Sequence, residues 1–196
     1  MELLVASNCL AKARQIKSIL KATKLCDALD IFLEEIPFKS PIVNSHTLSS
    51  FVKEYSFELA AKENCAVLLE ASGLFIPAFT QLKQEGLHEF FTPPHPFLKE
   101  LLSFIKQNSS ELPRQAFFES WITFATPKKL ELTVSSSCEG CVIDPSYENF
   151  YSLETLFVKH GYDKPLASLQ DHIKNKISHR SKAVDKLLPM LEKKLS

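Results

Sequence analysis

A net charge and a long apolar run are both missing from this sequence, and we expect no export signal. Lys plus Arg and Asp plus Glu both number 23, so no overall field draws the chain toward nucleic acid or an anionic membrane. No apolar run approaches the roughly 20 residues that a membrane-spanning helix needs. The start, MELLVAS, lacks the basic flank and the length of a signal peptide. We therefore expect a cytoplasmic protein without nucleic-acid or membrane partners, in which a local cluster of side chains holds any anionic ligand.

A disulfide framework is also not expected. The cysteines are odd in number and scattered along a chain without an export signal, which favours free thiols: Cys9, Cys26, Cys65, Cys138 and Cys141. Cys138 and Cys141 have the spacing of a metal or redox motif, but a zinc site would need two more ligands nearby. We interpret this pair as ordinary thiols of a strand.

Length and composition are those of an ordinary globular protein. The chain has 196 residues, of which 45% are hydrophobic and 23% charged, and these values exclude the disordered and collagen-like classes. A chain of this size can bury a well-packed core without disulfides or metals. We predict one domain over residues 1–196.

The first part of the chain alternates strands and helices. Residues 2–6 have the apolar character of a buried strand, and a helical pattern follows, with Ser7 or Asn8 as its cap and Lys12 in its first turn. A second helical pattern begins at Thr47. It leads to another short apolar run that ends at Glu70, where the sequence ASGL predicts a turn.

The second part predicts a hairpin, a further strand and a closing helix. Residues 115–125 and 130–137 flank a turn that contains Pro127, and residues 153–158 have the composition of a strand. Pro189 should kink the closing helix or end it early. Together these elements predict an α/β fold of the mixed, α+β-like type, with helices packed on a mixed β-sheet.

The last forty residues carry the most specific motif of the chain. The segment FVKHGYDKPLASLQDHIKNKISHRSKAVDKL closely resembles the C-terminal signature of the inosine triphosphate pyrophosphatase-like family, whose members hydrolyse deviant purine nucleoside triphosphates such as ITP, dITP and XTP to the monophosphate and pyrophosphate. The corresponding positions are Phe157, Val158, Gly161, Tyr162, Lys164, Ala167, Leu169, Lys174, Asn175, Ile177, Ser178, His179 and Arg180. The stretches VASNCLAKARQIKSIL, EASGL and CEGCVI resemble other family segments more loosely.

The resemblance implies a fold, a ligand and a set of site residues. The fold is an elongated mixed sheet flanked by helices, with a central groove between two lobes, and family members are commonly homodimers. The ligand is a purine nucleotide, ITP, XTP, dITP or a monophosphate. The nucleotide-binding residues would be Ser7, Asn8, Cys9, Lys12, Ser72, Tyr151, Glu154, Lys174, Ser178, His179 and Arg180. Glu70 is then the candidate ligand of Mg²⁺, the cofactor of an active enzyme, and the weak candidate for a catalytic group.

The Ser-His-Arg triplet suits a reader of oxopurines. His179 and Arg180 can both donate to the 6-oxo group that distinguishes hypoxanthine and xanthine from adenine. A simpler interpretation is that Ser178 caps the closing helix while the imidazole and the guanidinium are solvated.

The sequence departs from the family where catalysis is expected. The family uses adjacent aspartates to hold Mg²⁺ and to activate the attacking water, but this chain has Glu70 and Ala71. Ser50 and Phe51 replace a Glu-Asn pair, and Tyr55 replaces a lysine. The family's two glycine-rich segments are also missing. Loss of a positioned general base typically lowers a rate by about 10²–10⁴, or roughly 3–5 kcal/mol of barrier.

Three functions remain open from the sequence. The favoured hypothesis is a purine-nucleotide-binding relative whose catalysis is weak or lost. The second is an active Mg²⁺-dependent pyrophosphatase that uses substitute acids, for which Glu54, Glu58 and Glu63 on the second helix are candidates. The third is a structural or partner-binding descendant in which the C-terminal motif supports folding or a dimer interface.

Overall fold

The chain forms a mixed β-sheet with helices on both of its faces. The structure is a computed structural model, and it describes residues 1–7, 9–23, 27, 29–36, 45–78, 87–88, 103, 106–107, 114–128, 130–144 and 152–195. No described helix is long and apolar enough to cross a membrane. The predicted mixed α/β class is confirmed.

Seven strands of the described residues belong to one sheet, in the order β2-β1-β3-β5-β6-β7, with the short β4 paired to β3. The strands are β1 (Glu2–Ser7), β2 (Asp30–Glu35), β3 (Ala66–Phe75), β4 (Leu87–His88), β5 (Gln115–Ala125), β6 (Glu131–Val142) and β7 (Phe157–Lys159). The pairs of β1 with β2 and with β3 are parallel, and the other pairs are antiparallel. The β5–β6 pairing confirms the predicted hairpin.

The helices are α1 (Leu10–Lys21), α2 (Ser45–Glu63), α3 (Asp171–Ile177) and α4 (His179–Leu195), with short 3₁₀ turns at Leu153–Leu156 and Leu166–Ser168. Because side chains alternate along a strand, β3 presents different residues to the helices on its two sides. Leu68 packs in the core beneath α1 and α4, whereas Leu69 packs in the core beneath α2. We call these two sides of the sheet the α4 face and the α2 face.

The turn predicted after Glu70 is wrong. Strand β3 continues to Phe75, so Glu70 lies in its middle, and all ten residues of the strand are buried. The long strand β5 is the reason, because it pairs with β3 without interruption from Val67–Ala125 to Phe75–Phe117. A Ser-Gly pair can favour a turn in an isolated segment. Here the continuous pairing with β5 holds this pair in the extended conformation.

The strand predicted at 153–158 is also partly wrong. Residues Leu153–Leu156 form a 3₁₀ turn, and only Phe157–Lys159 pairs with β6. The Thr155 N–H and hydroxyl both donate to the carbonyl of Ser152, at 3.0 and 2.7 Å, and these bonds close the turn. This local side-chain hydrogen bond therefore favours the 3₁₀ turn over pairing with the sheet.

The closing helix passes through its proline. Helix α4 continues to Leu195 although Pro189 lies inside it, so the predicted early end did not occur. Pro189 and Asp185, whose carbonyl loses its helical donor, are both exposed, and water can satisfy that carbonyl. Leu187 and Leu191 remain buried on the α4 face and hold the helix against the sheet.

Candidate functional site

The side chain of Arg180 is the centre of a buried polar network. Arg180 lies in the first turn of α4 and is 2% exposed. Its Nε donates to Oε1 of Glu70 at 3.1 Å, and its Nη1 donates to Oε1 of Glu154 at 2.7 Å. Nη1 also donates to the Gln15 amide oxygen at 3.1 Å, and Nη2 to the Ser72 hydroxyl at 3.3 Å. One guanidinium thus joins β3, α1 and the 3₁₀ turn that precedes β7.

Glu70 is held as a charged carboxylate within this network. It is fully buried on the α4 face, and its Oε1 accepts from the hydroxyls of Ser72 at 2.6 Å and Ser120 at 2.9 Å. The Ser7 hydroxyl donates to Oε2 at 3.4 Å. Burial alone would raise the pKa of Glu70, but the cations of Arg180 and Lys12 and the hydroxyl donors bring this pKa below its usual value.

Glu154 bridges two cations. In addition to Arg180, its carboxylate contacts Lys174, whose Nζ lies 2.9 Å from Oε2. The pKa of Glu154 is well below its usual range, because the two cations outweigh the desolvation that would raise it. The strand predicted for this segment would have placed Glu154 differently, and the 3₁₀ turn is what brings it to Arg180.

Ser178 and His179, which precede Arg180 in the sequence, make different kinds of contact. The Ser178 hydroxyl accepts from the backbone N–H of Ser181 at 3.2 Å, which is the cap predicted for this helix. His179 is fully buried, and its ring stacks on Phe118 with 4.7 Å between centroids and 8° between planes. The interpretation that His179 and Arg180 are solvated is therefore wrong.

The imidazole of His179 has an unusual environment. Within the described ranges, neither of its ring nitrogens has a hydrogen-bond partner. Burial, and then the neighbouring Arg180 charge, hold the pKa of His179 well below its usual value of 6.5. The ring is consequently neutral at physiological pH.

A cleft of about 490 Å³ opens beside this network. Its walls come from α1, α3, the first turn of α4 and the turn around Glu154: Cys9, Ala11, Lys12, Arg14, Gln15, Ser18, Ser152, Glu154, Asp171, Lys174, Asn175 and Arg180. This volume is within the usual range for small-molecule sites. Of the twelve lining side chains in the described ranges, six are charged, so the cleft suits a polar ligand.

The structure brings some of the predicted site residues to this cleft and places others behind it. The cleft is lined by Cys9, Lys12, Glu154, Lys174 and Arg180. Behind the wall, and not lining it, are Ser7, Glu70, Ser72, Ser178 and His179. Asn8 and Tyr151 lie outside the described residues. Ser7 does not cap α1, because its hydroxyl donates to Glu70 instead. Cys9 occupies the cap position, and its side chain makes no hydrogen bond to the helix.

Gln15 is a cleft residue that the sequence analysis missed. Its amide oxygen accepts from Arg180, and its Nε2 donates to the Ser178 hydroxyl at 3.2 Å. The available signal was its spacing of three residues from Lys12, which places both side chains on one side of α1. That spacing alone does not distinguish it from an ordinary helix residue.

The α2 face, one residue further along β3, is apolar. Ala71 is 1% exposed and belongs to a core cluster with Leu48 and Val52 of α2. Partly buried aromatic side chains pack against the same cluster: Phe51, Tyr55, Phe57 and Trp121. The rings of Phe51 and Tyr55 stack with 5.6 Å between centroids, and Trp121 pairs with Ala71 in the β3–β5 register. Apolar side chains thus enclose Ala71.

Mg²⁺ does not fit the donor set that surrounds Glu70. Magnesium takes near-octahedral oxygen ligands, usually one or two carboxylates together with water and phosphate oxygens. The Glu70 carboxylate already accepts from three hydroxyls and from Arg180, and a divalent cation beside it would meet the positive guanidinium. Among the residues that the structure describes, no group of three or more His, Cys, Asp or Glu side chains could hold a metal ion.

Comparison with known proteins gives a consistent answer. The Ham1 family model matches residues 3–190. The chain is 28% identical to a dITP/XTP pyrophosphatase of Protochlamydia amoebophila, over 98% of each chain. It is 30% identical to a dITP/XTP pyrophosphatase of Chlamydia trachomatis, over 98% of this chain and 93% of the relative.

Solved structures show the same fold. The Staphylococcus aureus Ham1 protein superimposes with a TM-score of 0.70, at 21% identity over 99% of this chain and 100% of the other. A HAM1 protein from Coxiella burnetii superimposes with a TM-score of 0.68, at 18% identity over 98% of this chain and 99% of the other. The family match over nearly the whole length leads to one conclusion: the chain belongs to the Ham1 family.

Proposed function

We propose that this protein binds a purine nucleotide in the cleft beside Arg180 and that it hydrolyses nucleoside triphosphates weakly or not at all. The observation that carries the proposal is the placement of two neighbouring side chains of β3. Ala71, at the position of the family's water-activating aspartate, is buried under apolar side chains, and its neighbour Glu70 points to the opposite face and is tied to Arg180. Pyrophosphatase relatives supply the ligand class.

The lining of the cleft supports the nucleotide part of the proposal. Lys12 lies in the first turn of α1, where its charge and the helix N-terminus both favour a phosphate. Lys174 and Arg180 lie beside Glu154 in the same cleft, and their N–H groups can donate to the 6-oxo group of a hypoxanthine or xanthine base. In this assignment His179 positions the first turn of α4 through its stacking on Phe118.

The catalytic part of the proposal follows from the missing groups. A methyl group at Ala71 cannot accept a proton from water, and the exposed Ser50 on α2 offers no carboxylate for a metal. The candidate substitute acids Glu54, Glu58 and Glu63 are all exposed on α2 and do not line the cleft. Loss of the base alone should lower the rate by about 10²–10⁴.

The test compares hydrolysis and binding on the same preparation. Purified protein is incubated with ITP, dITP and XTP in Mg²⁺, and pyrophosphate release is measured beside the Chlamydia trachomatis relative. We expect at least about a hundredfold slower release. Nucleotide binding is measured by thermal unfolding, where a ligand at 100 times its Kd adds about 2.7 kcal/mol. Release at the rate of the relative would overturn the catalytic part, and no stabilisation by millimolar purine nucleotide would overturn the binding part.

A pair of lysine variants assigns the binding to the cleft. Lys12→Met removes a cation that lines the cleft, whereas Lys21→Met removes one from the last turn of the same helix, outside the cleft. Only Lys12→Met should weaken nucleotide binding. Equal effects of both variants would contradict the proposed site.

A single domain, a cytoplasmic location and a homodimer also belong to the proposal. The domain rests on the chain's size and the homodimer on the family resemblance. Sedimentation equilibrium measures the mass, and a monomer at micromolar concentration would contradict the homodimer. Cooperative unfolding in a single calorimetric transition is expected for one domain.

A further inference from the structure

We infer that the cleft takes a purine nucleoside monophosphate without a metal ion, and that the Arg180 guanidinium between Glu70 and Glu154 does the charge neutralisation that a divalent cation would otherwise do. The inference rests on the proposed function, because it names the nucleotide state that the same cleft prefers. Two observations support it: the contacts of the two carboxylates and the charges of the cleft.

Both carboxylates are already neutralised by a side chain. Glu70, Glu154 and Arg180 are 0%, 6% and 2% exposed. The guanidinium holds Glu70 through Nε and Glu154 through Nη1, so a single planar cation spans both acids. A divalent ion could bind these acids only if Arg180 gave up its contacts with both of them. Arg180 would then be a buried cation without its carboxylate partners, which is strongly unfavourable.

The charges around the cleft suit a small anion. Its lining carries the cations Lys12, Arg14, Lys174 and Arg180 against the carboxylates Glu154 and Asp171. Glu70 lies directly behind Arg180, so among the residues that the structure describes four cations face three carboxylates and leave one net positive charge. A phosphate monoester carries about 1.5 to 2 negative charges near pH 7. A triphosphate carries more, and proteins usually neutralise it with Mg²⁺ held on carboxylates.

Titration calorimetry on the unaltered protein tests the inference. IMP and ITP are each titrated in EDTA and in millimolar Mg²⁺, and inosine, inorganic phosphate and Mg²⁺ alone are titrated separately. We expect IMP to bind equally well in both buffers and at least about tenfold more tightly than ITP, a difference of about 1.4 kcal/mol. Inosine and phosphate should each bind more weakly than IMP, and Mg²⁺ alone should give no saturable heat.

The opposite outcomes separate this inference from the proposed function. ITP binding as tightly as IMP, an affinity for either nucleotide that rises with Mg²⁺, or saturable binding of Mg²⁺ alone would overturn the metal-free monophosphate site but leave nucleotide binding intact. Phosphate binding as tightly as IMP would reduce the cleft to an anion site and would overturn the inference too. If no purine nucleotide binds in any buffer, the proposed function itself is wrong.

Two variants locate the effect. Lys174→Met removes a cleft cation that contacts Glu154, and Lys176→Met removes an exposed cation from the same helix. IMP affinity should fall about tenfold in the first variant and stay unchanged in the second. Arg180→Gln removes the internal cation, so Mg²⁺ should raise the melting temperature of this variant but not of the unaltered protein. If Arg180→Gln does not fold, the Mg²⁺ titration of the unaltered protein still decides the question.

Discussion

The two faces of strand β3 differ sharply in chemistry. On the α4 face, Glu70 and Ser72 belong to a polar network around Arg180 that borders a charged cleft. On the α2 face, Ala71 belongs to an apolar cluster against which Phe51 and Tyr55 pack. Because successive residues of a strand point to opposite sides, one face can keep a ligand site while the other becomes ordinary core.

This comparison teaches that residues 70 and 71 face different surroundings although they are neighbours on the same strand. The acid at position 70 and the acid missing at position 71 are neighbours in sequence but cannot replace each other in space. An extra methylene on Glu70 does not carry its carboxylate around the strand to the α2 face. Changes on the two faces should therefore have different consequences, and the following variants test this from the largest expected effect to the smallest.

Ala71→Asp should restore no activity and should destabilise the fold by about 3–5 kcal/mol, because it buries a carboxylate without a partner among apolar side chains. Urea unfolding measures the loss. Ser50→Glu, at the other missing family acid, is the control, since its exposed site should change stability by no more than about 0.5 kcal/mol. A stable Ala71→Asp protein that hydrolyses ITP would contradict the apolar description of the α2 face.

Glu70→Gln should cost about 2–3 kcal/mol of stability, because it weakens a charged hydrogen bond to Arg180 and leaves excess positive charge in a buried site. Chemical denaturation of this variant and of Glu58→Gln makes the comparison, since Glu58 is exposed on α2. Similar stabilities for the two variants would mean that the network around Arg180 contributes little to the fold.

Acid should destabilise the protein in two steps. The folded-state pKa of His179 lies well below 6.5, so the unfolded chain takes up this proton first, and stability present above pH 6.5 is lost as the pH falls below it. The pKa values of Glu70 and Glu154 lie below 4.5, so their contribution is lost as the pH falls below about 4.5 toward the folded-state values. Each unit of pKa difference corresponds to about 1.4 kcal/mol.

His179→Phe separates the two steps. Phenylalanine can keep the stacking on Phe118, and it cannot titrate. Unfolding free energies measured from pH 7 down to about pH 2 should lose the step that begins at pH 6.5 and keep the step below pH 4.5. An unchanged first step would assign it to another group.

Substitutions at two adjacent residues of β5 should have the smallest effects. Ser120→Ala removes the 2.9 Å bond to Glu70 and should cost about 1–2 kcal/mol and weaken nucleotide binding. Trp121→Phe changes the α2 face, where the indole N–H has no hydrogen-bond partner within the described part of the chain, and should leave nucleotide affinity unchanged. Calorimetry on both variants checks the difference. A loss of affinity in Trp121→Phe would show that the two faces are coupled.

Much of the fold could be predicted from local patterns. The helical face of α1, with Ile16 and Leu20 buried, and the β5–β6 hairpin followed directly from periodicity and turn residues. The errors have a common cause. β3 continues through a turn-like Ser-Gly pair because β5 supplies its partners, and the strand expected at 153–158 begins with a 3₁₀ turn because Thr155 bonds to Ser152.

The candidate site was predicted less completely than the fold. The resemblance identified Lys12, Glu154, Lys174 and Arg180, which share one cleft. It did not indicate that Glu70 and His179 would be fully enclosed, nor that Gln15 would bond to Arg180. Burial and hydrogen bonding at these positions depend on elements far apart in the sequence, and a motif records residue types without recording what encloses them.

By itself, the sequence determined the family, the mixed α/β class and the loss of the acids at positions 50 and 71, because these depend on residue identity and local periodicity. Only the tertiary structure decided which partners the remaining charged side chains contact. Arg180 meets Glu70 across 110 residues and Glu154 across 26, and the packing of α1, α4 and β3 makes those meetings possible. The same packing separates Glu70 from Ala71, since a strand sends consecutive side chains to opposite faces and the helices on each side complete a different environment.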